Sequence, residues 1–419
     1  MTTISFIHTA DLHLDTPFKG LTSVDPDLAA YLKQATFAAF DNIVAACLRE
    51  KVDFLLIAGD VFDSRTRSLG AQLKFQEGLR RLAEADIPVY FVCGNHDPAG
   101  SWLAEMELPD QAHQFAADQP RSVPFHKDNR RLVDIHGLSH ATDSVADNLA
   151  AGFAREDDPA PLSIALLHGT IGPAGPHERC SPFTESDIRD KGFDYWALGH
   201  IHRQTVIRSA EPAIVYPGNP QGRDFGESGP RGCYHVTLAP GRPPDLRFIS
   251  TQSICFETLT VDLSGETSLS RLKDNIVTAC EAAAAADDSL SNMLRVRLLG
   301  RTPLHGHLRP EALAELTGQI NEAQSGQPPF CRLDRVEDET LPDVDLDQAA
   351  RGDDFAAEVL RRLDFYLQSP EERAALIDPL AEDFGNHQIK KELEPLSDED
   401  YQAVIRQARR RLIDLLFTG

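Results

Sequence analysis

A layered α/β fold, followed by a second and smaller α/β unit and then a helical tail, is what this 419-residue sequence predicts. Three observations carry the prediction. Over the first 250 residues, short apolar runs alternate with longer amphipathic stretches, the pattern of strands alternating with helices. The same alternation restarts near residue 253 on a smaller scale. From residue 348 onward only helical periodicity remains. The length also favours two or three domains, since single cores rarely grow beyond roughly 250–300 residues.

Taken in order, Ile4–His8, Phe54–Ala58, Val89–Cys93, Ser163–Leu167 and Tyr195–Leu198 are short, mainly apolar runs of strand length and predict buried strands. Ala29–Arg49 and Ala71–Ala85 place apolar residues at every third or fourth position and predict helices. Thr205–Arg208, Ala213–Val215, Tyr234–Leu238 and Leu246–Ile249 are short strands parted by Pro/Gly turns, as in a second sheet or sandwich layer. The first unit is therefore assigned to residues 1–250. In the second, at 253–336, Cys255–Asp262, Leu294–Leu299 and Phe330–Val336 predict strands. Ser268–Ala286 and Glu311–Ala323 predict the helices between them. EDETLPDVDLD, residues 337–347, has the composition of an acidic linker. Residues 348–419 predict helices. The last begins at a Ser397 N-cap, has acids in its first turn and carries Arg409–Arg411 near its end, which suits both poles of the helix dipole. In it Tyr401, Val404, Ile405, Ala408, Leu412, Leu415 and Leu416 form an apolar stripe suited to docking a partner.

Composition narrows the class. Apolar residues make up 42% and charged residues 25%, the balance of a globular protein rather than a disordered one. There are 41 Lys and Arg against 65 Asp and Glu, a net charge of −24. Such a surface repels polyphosphates at long range, so tight non-specific binding to nucleic acid by the free chain is disfavoured. The seven cysteines stand singly, with no CxxC pair, which argues against zinc ribbons and suits a reducing cytoplasm. The N-terminus lacks the basic region of a signal peptide, and no apolar run is long enough to span a membrane.

Each predicted strand of the first unit except those after residue 203 ends in a polar cluster: TADLHLD, GDVFD, GNHD, HGT and GHIH. Ligands of α/β sheets bind beyond strand C-termini, so five clusters at five such ends are expected to converge. The donors are Asp11, His13, Asp60, Asn95, His96, His168, His200 and His202. Carboxylate, amide and imidazole donors without a thiolate suit two hard-to-borderline divalent ions such as manganese, iron or zinc. Two such ions sharing one carboxylate form the geometry for in-line phosphoryl displacement. Asn219 and Arg223, in PGNPQGRDFGE, are candidate phosphate contacts. His8, inside the first strand, is expected to be a buried, hydrogen-bonded histidine rather than a ligand.

The series DLH, GDVFD, GNHD, H and GHIH resembles the five signature motifs of calcineurin-like metallophosphoesterases. More narrowly, HTADLHLD, GDVFD and YPGNPQGRDFGESGPRGC resemble the DNA repair exonuclease branch, the SbcD-type nuclease subunits and especially YhaO-type proteins. The resemblance implies a β-sandwich flanked by helices over residues 1–250, with 253–336 as a capping domain. It implies Asp11, His13 and His202 on one ion, Asn95, His168 and His200 on the other, and Asp60 bridging. His96 would be the catalytic acid or would orient the phosphate. Asp63 and Asp97 would fix imidazole tautomers or ligand rotamers. The implied cofactors are two divalent ions, manganese foremost with iron or zinc as alternatives. The implied partners are DNA, a second copy of the chain, and an SMC-like coiled-coil ATPase docked on residues 348–419. The implied activity is a DNA exonuclease of the cytoplasm acting in repair. A phosphoesterase of nucleotides or other small phosphodiesters is the alternative.

Overall fold

The computed structural model describes residues 3–14, 16, 18, 26–63, 68–101, 106–172, 180–323, 328–373 and 398–417. The chain divides into two compact units. The first holds Met1–Glu257 with two short segments, Asp287–Asn292 and Gly326–Phe330, and the second holds the rest. Among the described residues, no helix is long and apolar enough to cross a membrane.

The first unit is built on two six-stranded sheets. Sheet one contains β1 (Ile4–Thr9), β2 (Phe54–Ala58), β3 (Val89–Val92) and β4 (Ala112–Gln114), parallel to one another. Sheet two contains the hairpin β5 (Arg121–Lys127) and β6 (Arg130–Leu138), then β7 (Leu162–His168), β8 (Tyr195–Gly199), β9 (Thr205–Arg208) and β10 (Ala213–Tyr216). β11 (Gly232–Leu238) returns to sheet one antiparallel to β1, and β12 (Asp245–Ser250) closes that edge.

The apolar runs are continuous because both faces of these strands are covered. Phe6, Phe54, Leu56 and Val92 point into a core shared with Ile135, Ile164, Leu166 and Tyr195 of sheet two. The alternate residues Ile7, Leu55, Ile57 and Phe91 point the other way. There they meet helices α1 (Pro26–Glu50) and α2 (Leu69–Ala83). Helix α2 starts at Ser68, whose hydroxyl accepts from the Ala71 N–H, and buries Phe75, Leu79 and Leu82 at four- and three-residue steps. Cys47, Cys93 and Cys233 are fully buried in this outer core, as their apolar surroundings in the sequence predict.

The hairpin β5–β6 and the short β4 have no counterpart in the sequence reading. β5 is an edge strand with a mostly polar, half-exposed pattern and a proline, so it lacks the apolar run that betrays a central strand. Its turn, Asp128–Asn129, holds two left-handed residues (φ 50° and 58°), the backbone that tight hairpins demand.

The second unit has a three-stranded sheet, in the order β13 (Ile254–Asp262), β14 (Ser291–Leu299), β16 (Cys331–Asp338). The short β15 (Arg301–Thr302) follows β14. The helices are α4 (Leu269–Ala285) and α5 (Pro310–Glu322), α3 being a single turn at Glu185–Ile188 of the first unit. Leu272, Ile276 and Cys280 of α4 and Leu313 and Ile320 of α5 pack with Leu294, Val296, Leu298 and Leu333 of the sheet.

The acidic stretch 337–347 is not a free linker. Asp338 ends β16, β17 (Leu341–Pro342) pairs in parallel with β15, and Leu346 is buried. Its acids meet basic partners, as where Arg297 Nε donates to Glu339 at 2.6 Å. Composition alone concealed this, because the pairing residues lie some 40 positions apart. The expected helical tail shows α6 (Leu346–Ala349), α7 (Phe355–Gln368) and a C-terminal helix, Asp398–Phe417. Ser397 lies outside the described residues. The predicted stripe of the last helix is divided. Of its members Ile405 is buried, whereas Val404 and Leu415 are exposed, and it is Ile413, outside the predicted stripe, that is buried in a small cluster with Leu346 and Leu360.

Candidate metal centre

Five strands deliver the predicted donors to one place: β1, β2 and β3 from sheet one, β7 and β8 from sheet two. The loops leaving β1 and β2 run side by side, Asp11 N–H donating to Gly59 O and His13 N–H to Asp60 O, each at 3.0 Å. Asp11, His13 and Asp60 all have left-handed backbones (φ 53°, 42° and 51°), as does His200 (φ 95°). Such conformations cost of order 1–3 kcal/mol each away from glycine and cluster at functional sites. Two glycines allow the close approach. A Cβ on Gly59 would stand 2.4 Å from His168 Nδ1, and one on Gly94 would stand 2.1 Å from Asp60 Oδ1.

Asp60 lies at the middle. Its Oδ2 is 3.6 Å from His13 Nε2 and 3.4 Å from His168 Nε2, and its Oδ1 accepts from the His96 backbone N–H at 2.9 Å. Asp11 accepts from the His200 N–H at 3.0 Å. Asn95 Oδ1 is approached by His168 Nε2 at 3.0 Å and His200 Nδ1 at 3.2 Å. Asp11, His13 and His202 offer ligand atoms within 4.8 Å of one another, and so do Asp11, Asp60 and His168. A third such group is His13, Asp63 and His96.

Tautomers are set from behind. His168 Nδ1 lies 2.8 Å from Ala58 O, so that nitrogen carries a proton and Nε2 is the atom turned to the cluster, where a cation could replace its proton. His202 Nδ1 lies 2.6 Å from Glu227 Oε1, with the same consequence. Arg223 Nη2 also lies 2.8 Å from His202 Nδ1, but two donors cannot bond each other. The guanidinium is there because it donates to the same Glu227 oxygen at 2.8 Å. His13 Nε2 and His202 Nε2 are 3.2 Å apart. At that distance one can donate to the other, or a cation can take the place of the shared proton.

The electrostatics agree. Burial raises Asp11, with nearby imidazoles pulling it down and Asp60 pushing it further up. Burial would also raise Asp60, yet His168, through charge and hydrogen bond, and then His13 hold it well below the usual carboxylate range. Burial works against a charged His168, but Asp60 and Asp11 push it up to about 9. His13 is held well below its ordinary value by burial and by Arg223. Two buried carboxylates thus draw on scarce positive charge, a setting that favours a bound cation.

Two expectations need correcting, those for Asp97 and Asn219. Asp97 touches no imidazole. Its carboxylate accepts from Gly94 N–H (2.8 Å), Val61 N–H (2.8 Å) and Phe62 N–H (3.2 Å), tying the β3 loop to the β2 loop. Burial, and then the charge of Asp60, push its pKa up to about 7. Asp63 accepts from the Thr16 hydroxyl at 2.8 Å and lies within reach of His13 and His96. Asn219 does not face a phosphate: it is buried, donates to Gln221 O and Glu227 Oε2, and accepts from Arg231. Arg223 remains at the site through Glu227.

Two residues escaped the sequence reading. Glu227 anchors His202, Asn219 and Arg223 together. Burial opposes its ionisation, but the His202 hydrogen bond and Arg223 hold its carboxyl far below the usual range. His140 Nε2–H donates to His168 O at 2.7 Å, and burial pushes its pKa down to about 4, so it is neutral. His140 follows β6, a strand the sequence reading did not include, and Glu227 ends the quoted PGNPQGRDFGE, where no spacing rule marks it as an anchor. His8 is buried as expected, 3.0 Å from the Tyr195 hydroxyl.

Comparison with known proteins agrees with this geometry. Residues 4–204 match the calcineurin-like phosphoesterase family, and residues 256–341 match the middle domain of the metallophosphoesterase YhaO. The chain therefore carries a calcineurin-like metallophosphoesterase domain. It is 40% identical over 264 residues to the uncharacterized metallophosphoesterase YhaO of Bacillus subtilis (strain 168), 63% of this chain and 64% of that protein. It is 28% identical over 274 residues to the DNA double-strand break repair protein Mre11 of Haloferax volcanii, 64% of this chain and 57% of that one. With Mre11 of Sulfurisphaera tokodaii the identity is 26% over 209 residues, 50% and 51% of the two chains. The matched segments span less than two thirds of each relative.

Proposed function

We propose that this chain is a two-metal phosphodiesterase whose substrate is DNA. The observation that carries the reading is Asp60, whose one oxygen reaches towards His13 on one side and His168 on the other. In this reading Asp11, His13 and His202 hold one ion, Asn95, His168 and His200 the other, and Asp60 both. Nitrogen and oxygen donors without a thiolate suit manganese, iron or zinc, and the family resemblance puts manganese first. When bound, the ions supply Lewis-acid charge to the scissile phosphate and to the attacking water.

The rest falls to the chain. His96, tethered through its backbone to Asp60, has its ring edge-on to His13 (centroids 4.9 Å apart), beside rather than within the ligand set. It donates a proton to the leaving oxygen. Arg223, steadied by Glu227, presents positive charge to the phosphate. Asp97 holds the two loops that carry Asp60 and Asn95 at fixed separation.

DNA as substrate rests on the resemblance of the sequence motifs and on the Mre11 relatives. With a net charge of −24 the free chain binds DNA weakly and in a salt-sensitive way, which suits a subunit working with a partner. The same resemblance supports residues 1–250 as the catalytic domain, 253–336 as a capping domain, and 348–419 as the segment docking an SMC-like coiled-coil ATPase. It also supports a homodimer acting in the cytoplasm. The exposed Val404 and Leu415 of the last helix, rather than the whole stripe, remain available for docking.

The test is hydrolysis with manganese of a chromogenic phosphate bis-ester, a cyclic nucleotide and linear duplex DNA, with metal analysis alongside. Two ions per chain and turnover of the bis-ester and DNA are expected. Turnover of the cyclic nucleotide with none of DNA would replace DNA by small phosphodiesters. One tightly held zinc, unaffected by Asp60→Ala, would end the two-metal reading.

A further inference from the structure

Two cysteines that stand far apart in the sequence meet in the second unit. Helix α4 buries Leu272, Ile276 and Cys280 at four-residue steps, so Cys280 lies on the stripe that faces the small sheet. Cys331 opens β16 and packs against the same core. Although 51 positions separate them, the Cys331 S–H donates to the Cys280 carbonyl oxygen at 3.8 Å. The two thiols also meet each other directly. A hydrogen bond from Cys280 holds the Cys331 thiol below its ordinary value, against burial and the charge of Glu281. The same contact, with burial, raises Cys280.

The two sulfurs therefore differ in role. Cys331 is half-buried and ionises first, whereas Cys280 is fully buried and keeps its proton. Thiolates rather than thiols attack oxidants, so Cys331 is the entry point. A sulfenic acid formed with a second thiol in contact condenses to a disulfide instead of climbing to the sulfinic acid. The other cysteines lack this combination. Cys47 feels the charge of Cys233, but both are fully buried. Cys93 and Cys180 are buried as well. Cys255 is half-buried, but burial raises its thiol, and the charged groups around it are Glu257, Arg231 and Asp287 rather than a second thiol.

We propose that Cys280 and Cys331 are a reversible disulfide site, closed by a hydroperoxide and reopened by a thiol, that staples α4 to β16. The Cys331 thiolate attacks one peroxide oxygen. An S–O bond forms, the O–O bond breaks, and the departing hydroxide takes up a proton as water. The Cys280 sulfur then attacks the Cys331 sulfur. The S–S bond forms, the S–O bond breaks, and the Cys280 proton leaves with the hydroxyl as a second water. In sum, two thiols and one peroxide give one disulfide and two waters. The metal donors lie in the first unit, so the site does not depend on the phosphodiesterase reading.

The experiment treats the reduced full chain with graded hydrogen peroxide, blocks remaining thiols with iodoacetamide and maps the peptides by mass spectrometry without reductant. Circular dichroism at each step confirms that the chain is folded. The main early product should be the Cys280 peptide joined to the Cys331 peptide with two hydrogens lost, and dithiothreitol should restore both thiols. In Cys280→Ser the Cys331 sulfinic acid should accumulate at least about threefold above wild type, because nothing intercepts the sulfenic acid. In Cys331→Ser, Cys280 should stay a thiol. Cys255 is the internal comparison and should oxidise without a partner in every form. Oxidation of Cys331 in the wild type with no link to Cys280 overturns the proposal. So does a Cys331 that stays a thiol while Cys255 oxidises, or a link that appears only after the dichroic signal of the fold is lost. These wild-type outcomes decide the matter even if a serine variant fails to fold.

Discussion

At the ends of β1, β2 and β8, Asp11, His13, Asp60 and His200 hold left-handed backbones, while among the described residues of the second unit no residue other than glycine does. The first unit buries Asp11, His13, Asp60 and His168 almost completely in one cluster. The second buries mainly aliphatic side chains, and its helices begin on ordinary side-chain caps such as Ser268 and Asp354. The first unit joins left-handed backbone to buried charge at these strand ends, although left-handed residues also stand in its turns, as at Asp128 and Asn129. The other follows local propensity throughout. The difference locates chemistry in the first unit, because strained backbone and desolvated charge persist only where the surroundings over-determine them.

That contrast can be broken by substitution, and the largest effect belongs to its centre. Asp60→Ala should lose both ions and bring hydrolysis of a bis-ester to background while circular dichroism stays that of a folded chain. Retention of metal would show that Asp60 is not shared. Next comes His96→Asn, which should cost about 10²–10⁴-fold in kcat with metal content intact, the range of general-acid catalysis. A rate near wild type would remove the proton-donor role.

Glu227→Gln should weaken metal binding about 10–100-fold, the usual effect of losing the group behind a ligating histidine. Its readout is metal affinity by competition with a chelator, and Glu227→Asp should recover part of the loss. An unchanged affinity would mean that His202 needs no support from Glu227.

In the second unit the expected effect is of another kind. Leu298→Ala, at a fully buried strand position, should cost about 2–5 kcal/mol of stability there. Hydrolysis of the bis-ester at low temperature should remain as in wild type. A parallel loss of turnover would erase the contrast between the units.

The smallest effect concerns His8, where burial pushes the pKa down to about 3 from an ordinary 6.5. The unfolded chain then binds a proton that the folded chain refuses between those values. Stability from this residue is therefore complete above pH 6.5 and declines as the pH falls towards 3. The loss is about 1.4 kcal/mol by pH 5.5. Denaturant melts of the wild type and His8→Gln should diverge in pH slope over that window. Parallel slopes would mean that His8 is not held neutral.

Much of this was legible in the residues. Ile4–Thr9, Phe54–Ala58 and Tyr195–Gly199 announce themselves because a strand covered on both faces must be apolar throughout. The donors Asp60, Asn95 and His200 could be collected because each follows such a strand directly. The edge strand β5 could not be read in the same way, since a strand paired on one side and half exposed has no need of an apolar run.

Sequence by itself determined the five strands that carry the donors, the order of their chemistry-bearing ends and the kinds of donor gathered there, because each is written within a few consecutive residues. Tertiary structure alone decided that Glu227 anchors His202, that Asn219 is bound inwards and that residues 337–347 pair with β15 and Arg297. It alone left Val404 exposed while Ile413 is buried. Each of these depends on which distant residues meet, as with His202 and Glu227, 25 positions apart. A carboxylate's role is set by the donor it finds on folding, and no local spacing records that encounter.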